Sequence, residues 1–261
     1  MVGSVLVAAA VAIVVLMVGT WLVSLVWHDA SIVDPVWPLG FVVIAWVTRA
    51  VATGHGEVTR QWIIVAMTTI WGLRLSGYLA WRKHGAPEDH RYQAMRRHRG
   101  DRFPLASLFT VFALQGVLMW IVSLPVQLGQ TRVTPDVGAL ALIGVAIWLV
   151  GFTFETVGDA QLARFKADPT SAGQVMDQGL WRYTRHPNYF GDTCVWWGIA
   201  LVAAETGVGA IGIVGAAVMT VLLLRVSGIP MLERTMAKRR PDYTAYVERT
   251  SAFIPRPPRR R

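Results

Sequence analysis

Between Val5 and Trp27 the chain carries no charged residue. A stretch that long needs an apolar environment on every side, and about 20 such residues are enough for a helix to cross a bilayer core. No basic segment precedes it, and it is too long for the apolar part of a secretory signal, so it reads as a membrane helix. This first span is placed near residues 4–26, and further apolar runs predict spans near 31–50, 61–82, 105–128, 138–156, 190–205 and 208–227. The sixth and seventh are separated by Glu205-Thr206-Gly207 alone, which makes them a tight helical hairpin. The expected fold is therefore an all-α integral membrane protein of about seven transmembrane helices. Composition agrees: 16% of the residues are charged, where a soluble domain has about 25%.

Net charge is +9, which by itself suggests nucleic-acid binding. The position of the charge argues for topology instead, and no nucleic-acid partner is expected. With seven spans, 21 of the 25 Lys and Arg residues fall on one side, in 82–102, 164–185 and from Arg225 onward. The opposite loops hold Arg49, Arg60 and Arg132. Cytoplasmic loops carry the excess of Lys and Arg, so the N-terminus is expected outside and the C-terminus in the cytoplasm. The expected location is a bacterial inner (plasma) membrane. The single cysteine, Cys194, allows no internal disulfide and no thiolate metal cluster, and no metal site is expected. It reads as a small buried residue.

Ionisable groups in or beside a span are costly and mark candidate sites. Asp34 precedes Pro35 inside an apolar run and is too short to reach the interface. Arg74 lies mid-span and needs a partner, for which Asp34 is one choice; Tyr78 and Arg82 continue its stripe. Glu155 and Asp159 are four apart, hence on one helix face, near the predicted end of span five. There they oppose the helix dipole and call for a compensating group, either nearby arginines or a ligand. The densest set is Gly179 to Asp192, with Arg182, Tyr183, Arg185, His186, Asn188, Tyr189 and Asp192 just ahead of an apolar run. Arginines match phosphate oxygens in pairs. Asn188 and Asp192 could read an amide or ribose hydroxyls. Beyond span seven, Glu233, Arg234, Lys238, Arg239, Arg240, Tyr243, Tyr246 and Arg249 include part of an interfacial helix. Residues 256–261, basic and proline-rich, are expected to form a flexible tail drawn to anionic lipid.

These segments resemble the DUF1295 family, relatives of the steroid 5-alpha-reductase C-terminal domain. The resemblance is carried by Ser31 to Trp37, Glu88-Asp89-His90-Arg91-Tyr92, Gly179 to Asp192, Ile229 to Glu233, and on through Ile254-Pro255. It implies one seven-helix membrane domain over residues 1–255, with a cofactor cradle in about 138–255. It also implies an NADPH-dependent reductase acting on a carbon–carbon double bond of an apolar lipid or steroid-like substrate drawn from the bilayer. By the same resemblance, Glu155, Asp159, Tyr183, Asn188 and Asp192 match cofactor-contacting positions. Arg91, Arg182, Arg185, His186, Tyr189 and Glu233 join the cofactor-binding set. The expected catalytic set is Asp34, Arg74, Tyr78 and Tyr92, with a protonated Asp34 or a tyrosine donating a hydrogen bond to the acceptor. Steroid reductases carry a glutamine–glutamate pair on helix two and a tyrosine on helix three. Here the nearest acid is Asp34, and Trp71 stands at the third-helix position. A second resemblance competes: Arg185 to Gly191 with Glu233 is similar to isoprenylcysteine and phospholipid methyltransferases, which bind S-adenosylmethionine. A non-enzymatic membrane protein is the third reading.

Overall fold

The structure is a computed structural model and describes residues 1–132, 136–226, 228–230, 232, 233, 236 and 242–259. Met231, Arg234, the basic run Lys238 to Pro241, and Arg260 and Arg261 lie outside the described residues. Most of the described residues are helical, and the one strand-like feature among them is a parallel bridge between Thr184 and Ser251. Among the described residues, six helical stretches are long and apolar enough to cross a membrane: Val2–Trp27, Ala30–Val51, Val58–Lys83, His90–Val122, Ala139–Ala167 and Val208–Val226. The protein is an integral membrane protein built from apolar helices.

The chain divides into two compact units. The first comprises Met1–Leu142 and Ile199–Gly215. Helix α1 (Val2–Trp27) turns its small and polar stripe inward, burying Val5, Ala9, Ile13, Met17, Thr20 and Ser24, while valines and leucines face outward. Water would be a poor solvent for that outer face, and lipid a good one. The helix stops at His28, whose φ of 52° is left-handed. Asp29 then starts a 3-10 turn by accepting from the Ser31 amide at 2.9 Å. Helix α2 (Val33–Val51) packs on α3 (Val58–Lys83). At their crossing, a Cβ on Gly72 would stand 2.9 Å from the Pro38 carbonyl oxygen, so only glycine permits the approach. Trp71 is fully buried, edge-to-face with Phe41. Glu57 caps α3 by accepting from Thr59 and Arg60 amides at 2.8 and 2.6 Å.

The charged segment after α3 is not a plain loop. Helix α4 (His90–Arg99) is capped by Asp89. It ends at Gly100, whose φ of 52° breaks the run before α5 (Phe103–Ser107). A π-helical stretch (Leu108–Ala113), α6 (Leu114–Val122) and α7 (Leu124–Leu128) follow. Glu205 accepts from Arg60 Nη2 at 2.9 Å and from the Gly138 and Ala141 amides at 3.1 and 2.9 Å. One carboxylate thus neutralises a buried arginine and satisfies two helix-start donors.

The second unit comprises Ile143–Gly198 and Ala216–Arg261. Helix α8 (Ala139–Ala167) and helix α9 (Pro187–Ala204) supply its centre. Glycines at heptad spacing set how closely they meet. A Cβ on Gly191 would come within 2.5 Å of the Glu155 amide and the Gly151 carbonyl oxygen. One on Gly198 would meet Gly144 at 2.6 Å. Close backbone approach through small residues is how membrane helices gain packing energy without a hydrophobic drive. Helix α8 runs 11 residues beyond the predicted end at residue 156. Glu155 and Asp159 therefore sit well inside it. The helix dipole acts within the last turn, so the expected clash with it does not arise. Helix α10 (Ile213–Val221), a π-helical stretch (Leu222–Val226) and a short helix (Tyr243–Arg249) follow further along the chain.

Candidate functional site

Two polar clusters stand out, one in each unit. In the first unit, Asp34 at the head of α2 faces α4. Its Oδ2 accepts from Arg91 Nη2 at 2.8 Å, and its Oδ1 accepts from the Tyr92 hydroxyl at 2.8 Å. Asp34 accepts from both, so the hydroxyl hydrogen of the cluster is held by Tyr92. Gln115 Nε2 donates to the same tyrosine oxygen at 3.3 Å. Tyr92 is buried, and its oxygen is fixed on two sides. Arg91 also donates through Nε to Asp89 Oδ1 at 2.9 Å. Burial raises the Asp89 carboxyl, but hydrogen bonds from Arg91 outweigh it and leave the group below its ordinary range.

A strap of ion pairs holds this cluster. Glu88 receives both Nε and Nη2 of Arg96, at 3.1 and 2.9 Å, and accepts from the Ala30 amide at 2.8 Å. Lys83 pairs with Asp29 at 2.9 Å. Arg74 is half-buried on α3 and engaged, as its position demands. Tyr78, one turn on, is half-buried and lies beneath the Arg82 guanidinium. Asp34 is thus joined to Arg91 and Tyr92, the two residues that sequence reasoning had assigned to different sets.

In the second unit, Arg185, His186 and Glu233 meet. Glu233 Oε1 accepts from Arg185 Nε at 2.8 Å and lies 3.1 Å from His186 Nε2. A carboxylate only accepts, so Nε2 carries the hydrogen. Burial raises the Glu233 carboxyl, yet the His186 and Arg185 hydrogen bonds override it and bring it down to about 2. Burial, with Glu233 nearby, pushes the Tyr243 hydroxyl up to about 12. Arg185 Nη1 donates to the Thr250 and Val247 carbonyl oxygens at 2.6 and 3.2 Å. The polar atoms of Arg185 are directed into the protein, and those of Arg91 likewise, so both act first as positioning residues.

The C-terminal segment is strapped onto the motif. The Arg185 amide donates to Ser251 O at 2.9 Å, the Arg256 amide to Tyr183 O at 3.0 Å, and Thr184 Oγ1 to Phe253 O at 2.8 Å. Arg259 donates its amide to Arg249 O at 3.0 Å. Residues 256–259 are hence docked, contrary to the flexible tail expected of 256–261. Prolines 257 and 258 lack a donor, and the arginines on either side supply the bonds.

Beside this strap opens a cavity of about 880 Å³. Arg182, Tyr183, Arg249 and Arg259 are among its lining residues, with Asp177 at one wall. Asp177 pairs with Arg249. Tyr183 is 43% exposed. Glu155, Asp159 and Asp192 are buried instead at the α8–α9 seam, all three engaged. Asn188 Nδ2 reaches Asp159 Oδ1 at 3.4 Å. Tyr189 stacks on the His186 ring at 5.5 Å. The single convergence expected for Glu155, Asp159, Tyr183, Asn188 and Asp192 is therefore divided: the acids and the amide share the seam, and Tyr183 turns to the arginine cavity. Sequence reasoning did not single out Asp177, Gln115 or Arg259. Nothing near them in sequence marks them, because each acquires its role from a residue far along the chain.

A family model covers residues 20–250, which include both clusters. The chain belongs to DUF1295, a family described as a protein of unknown function. An uncharacterized protein from Schizosaccharomyces pombe is 23% identical over 260 residues, covering 90% of this chain and 75% of that protein. That relative is a yeast protein, so the expected bacterial inner membrane draws no support from it. No solved structure matches the chain.

Proposed function

We propose that this DUF1295 protein is an NADPH-dependent reductase of a carbon–carbon double bond in an apolar lipid or steroid-like substrate. One observation carries the reading: three arginines and an exposed tyrosine line one large cavity at the motif that resembles a cofactor cradle. Guanidinium groups pair with phosphate oxygens, and an aromatic face accepts a base. NADPH carries three phosphates. S-adenosylmethionine carries none and adds a cationic sulfonium, which three guanidiniums would repel. The volume also falls within the roughly 300–1,000 Å³ of small-molecule sites. Arg182, Tyr183, Arg249 and Arg259 are assigned to the phosphate-bearing end, with Arg185, His186 and Glu233 holding the walls. The Glu155, Asp159, Asn188 and Asp192 group, with Tyr189, offers acceptors and an amide for the hydroxyl and carboxamide groups.

When bound, NADPH supplies the hydride, and the protein's part is positioning and polarisation. The carbonyl oxygen of a conjugated substrate gains negative charge as the double bond is reduced. The Tyr92 hydroxyl is proposed as the donor that stabilises this charge. Asp34 and Gln115 fix the phenol oxygen, Arg91 fixes Asp34, and Arg74 and Tyr78 are the further members of the proposed catalytic set.

The reading includes seven crossings, α9 being added to the six longer spans, with the N-terminus outside and the C-terminus cytoplasmic. Contacts within the first unit support the alternation. Arg60, Gly138 and Glu205 meet at one end, whereas Asp29 with Lys83 and Asp34 with Arg91 meet at helix ends of opposite sense. A fluorescent reporter fused to the C-terminus should light up in the cytoplasm, and an exported phosphatase fused there should be inactive; the reverse pair rejects the orientation.

Purified protein in detergent separates the enzymatic readings. NADPH should raise the melting temperature and S-adenosylmethionine should not. The opposite result moves the assignment to a methyltransferase, the reading that Arg185 to Gly191 with Glu233 favours by resemblance.

A further inference from the structure

We propose that α4 is a membrane-surface helix whose outer face docks the headgroups of anionic phospholipids. The inference is separate from the reductase reading and rests on the first unit alone.

Helix α4 holds four arginines and two histidines in ten residues, with no acid. Two of the arginines face inward and are neutralised: Arg91 on Asp34 and Asp89, Arg96 on Glu88. His90, Ala94, Arg97 and His98 fall on the other face, at the i, i+4, i+7, i+8 spacing of one helix side, and all four are exposed. Arg99 and Arg102 extend the patch and are exposed too. Among the described residues no hydrogen bond or ion pair engages Arg97, Arg99 or Arg102, and the nearest acid in sequence, Asp101, is exposed beside them. The two inward arginines are paired, and on the outer face His90 lies 3.4 Å from Asp89 while Arg97, Arg99 and Arg102 carry no ion pair among the described residues.

Position decides which partner. The helical stretch from His90 to Val122 has 33 residues, about 50 Å if straight, against a hydrocarbon core of about 30 Å. Its first part must lie outside the core. Gly100 ends the α4 hydrogen-bonding pattern at a φ that side chains disfavour, with open space around it, so the interruption is not a packing need. Just beyond it, Leu105 and Phe109 are 65% and 64% exposed and face the acyl chains. The cationic face therefore stands at headgroup depth, one or two turns from lipid-facing side chains. Juxtamembrane cations at that depth are attracted to anionic lipid.

The test uses the full chain in neutral detergent, titrated with dioleoyl phosphatidylglycerol or with dioleoyl phosphatidylcholine, reading thermal stabilisation. Phosphatidylglycerol should stabilise more strongly, and raised salt should remove the difference. In the triple variant Arg97→Gln, Arg99→Gln, Arg102→Gln the apparent affinity for phosphatidylglycerol should fall about a hundredfold. The triple variant with lysine at those positions should keep it. Should the glutamine triple not fold, the single variants Arg97→Gln and Arg102→Gln are read in the same way. Unchanged phosphatidylglycerol affinity in the glutamine variants overturns the proposal. So does full stabilisation by inorganic phosphate alone, which would mark an anion site in place of a lipid surface.

Discussion

Replacing Tyr92 with phenylalanine is expected to lower turnover about a hundredfold or more while leaving stabilisation by NADPH intact. The substitution removes one oxygen from a buried position. Asp34 Oδ1 loses a donor and Gln115 Nε2 an acceptor. Removing a hydrogen bond of this kind costs about 1 kcal/mol, too little to unfold the protein, and Arg91 remains on Asp34. Chemistry should suffer far more, because on the proposed reading the donor to the developing charge is gone. The measurement is NADPH oxidation driven by membrane lipid extract. The substrate itself would be found as the lipid that gains or loses two hydrogens in cells lacking the protein. Full turnover in Tyr92→Phe would transfer the donor role to another residue, with Tyr78 next in line.

Arg185→Ala should produce the largest loss of stability. The side chain is 8% exposed and bonds Glu233, Thr250 and Val247. Its loss leaves a carboxylate with half its partners and two carbonyls without donors. Removing one member of a buried pair costs about 3–5 kcal/mol. Glu233 is partly exposed, so about 3 kcal/mol is expected, or a fall in melting temperature of about 10 °C. Arg185→Lys should recover little, since one ammonium cannot reproduce the guanidinium fork. Arg182→Ala is the contrast: exposed, it should melt like the parent and lose the response to NADPH. If Arg185→Ala melts normally and Arg182→Ala does not, the roles given to wall and lining are wrong.

The membrane helices were legible because hydropathy and helix length obey the same rule in lipid. Their ends were less so. Helix α8 outlasts its apolar stretch because Glu155, Asp159, Gln161 and Arg164 end the hydropathy and leave the backbone hydrogen bonding untouched. Segment 84–102 looks like a charged loop in composition, although Asp89 is a helix-starting residue. In α1 the inward face could not be read from apolarity, since every face is apolar; the mark was Ala9, Thr20 and Ser24. Candidate residues were found by their cost in a membrane, and Asp34 illustrates both success and limit. Its need for a partner follows from sequence, but Arg91, 57 residues away, is selected by how α2 and α4 meet. The proline-rich tail was read by composition alone, which cannot register a bridge between Thr184 and Ser251.

That bridge also orders events during synthesis. Arg185 precedes its acceptor Thr250 by 65 residues, which at about 5–20 residues per second amounts to roughly 3–13 s of elongation. Glu233 emerges 48 residues after Arg185, but until Thr250 follows, the guanidinium lacks that acceptor and this side of the cavity stands open. Residues 250–259 close on residues 183–185 like a latch, so on the proposed reading a newly made chain gains this wall of the cavity only after that stretch has emerged.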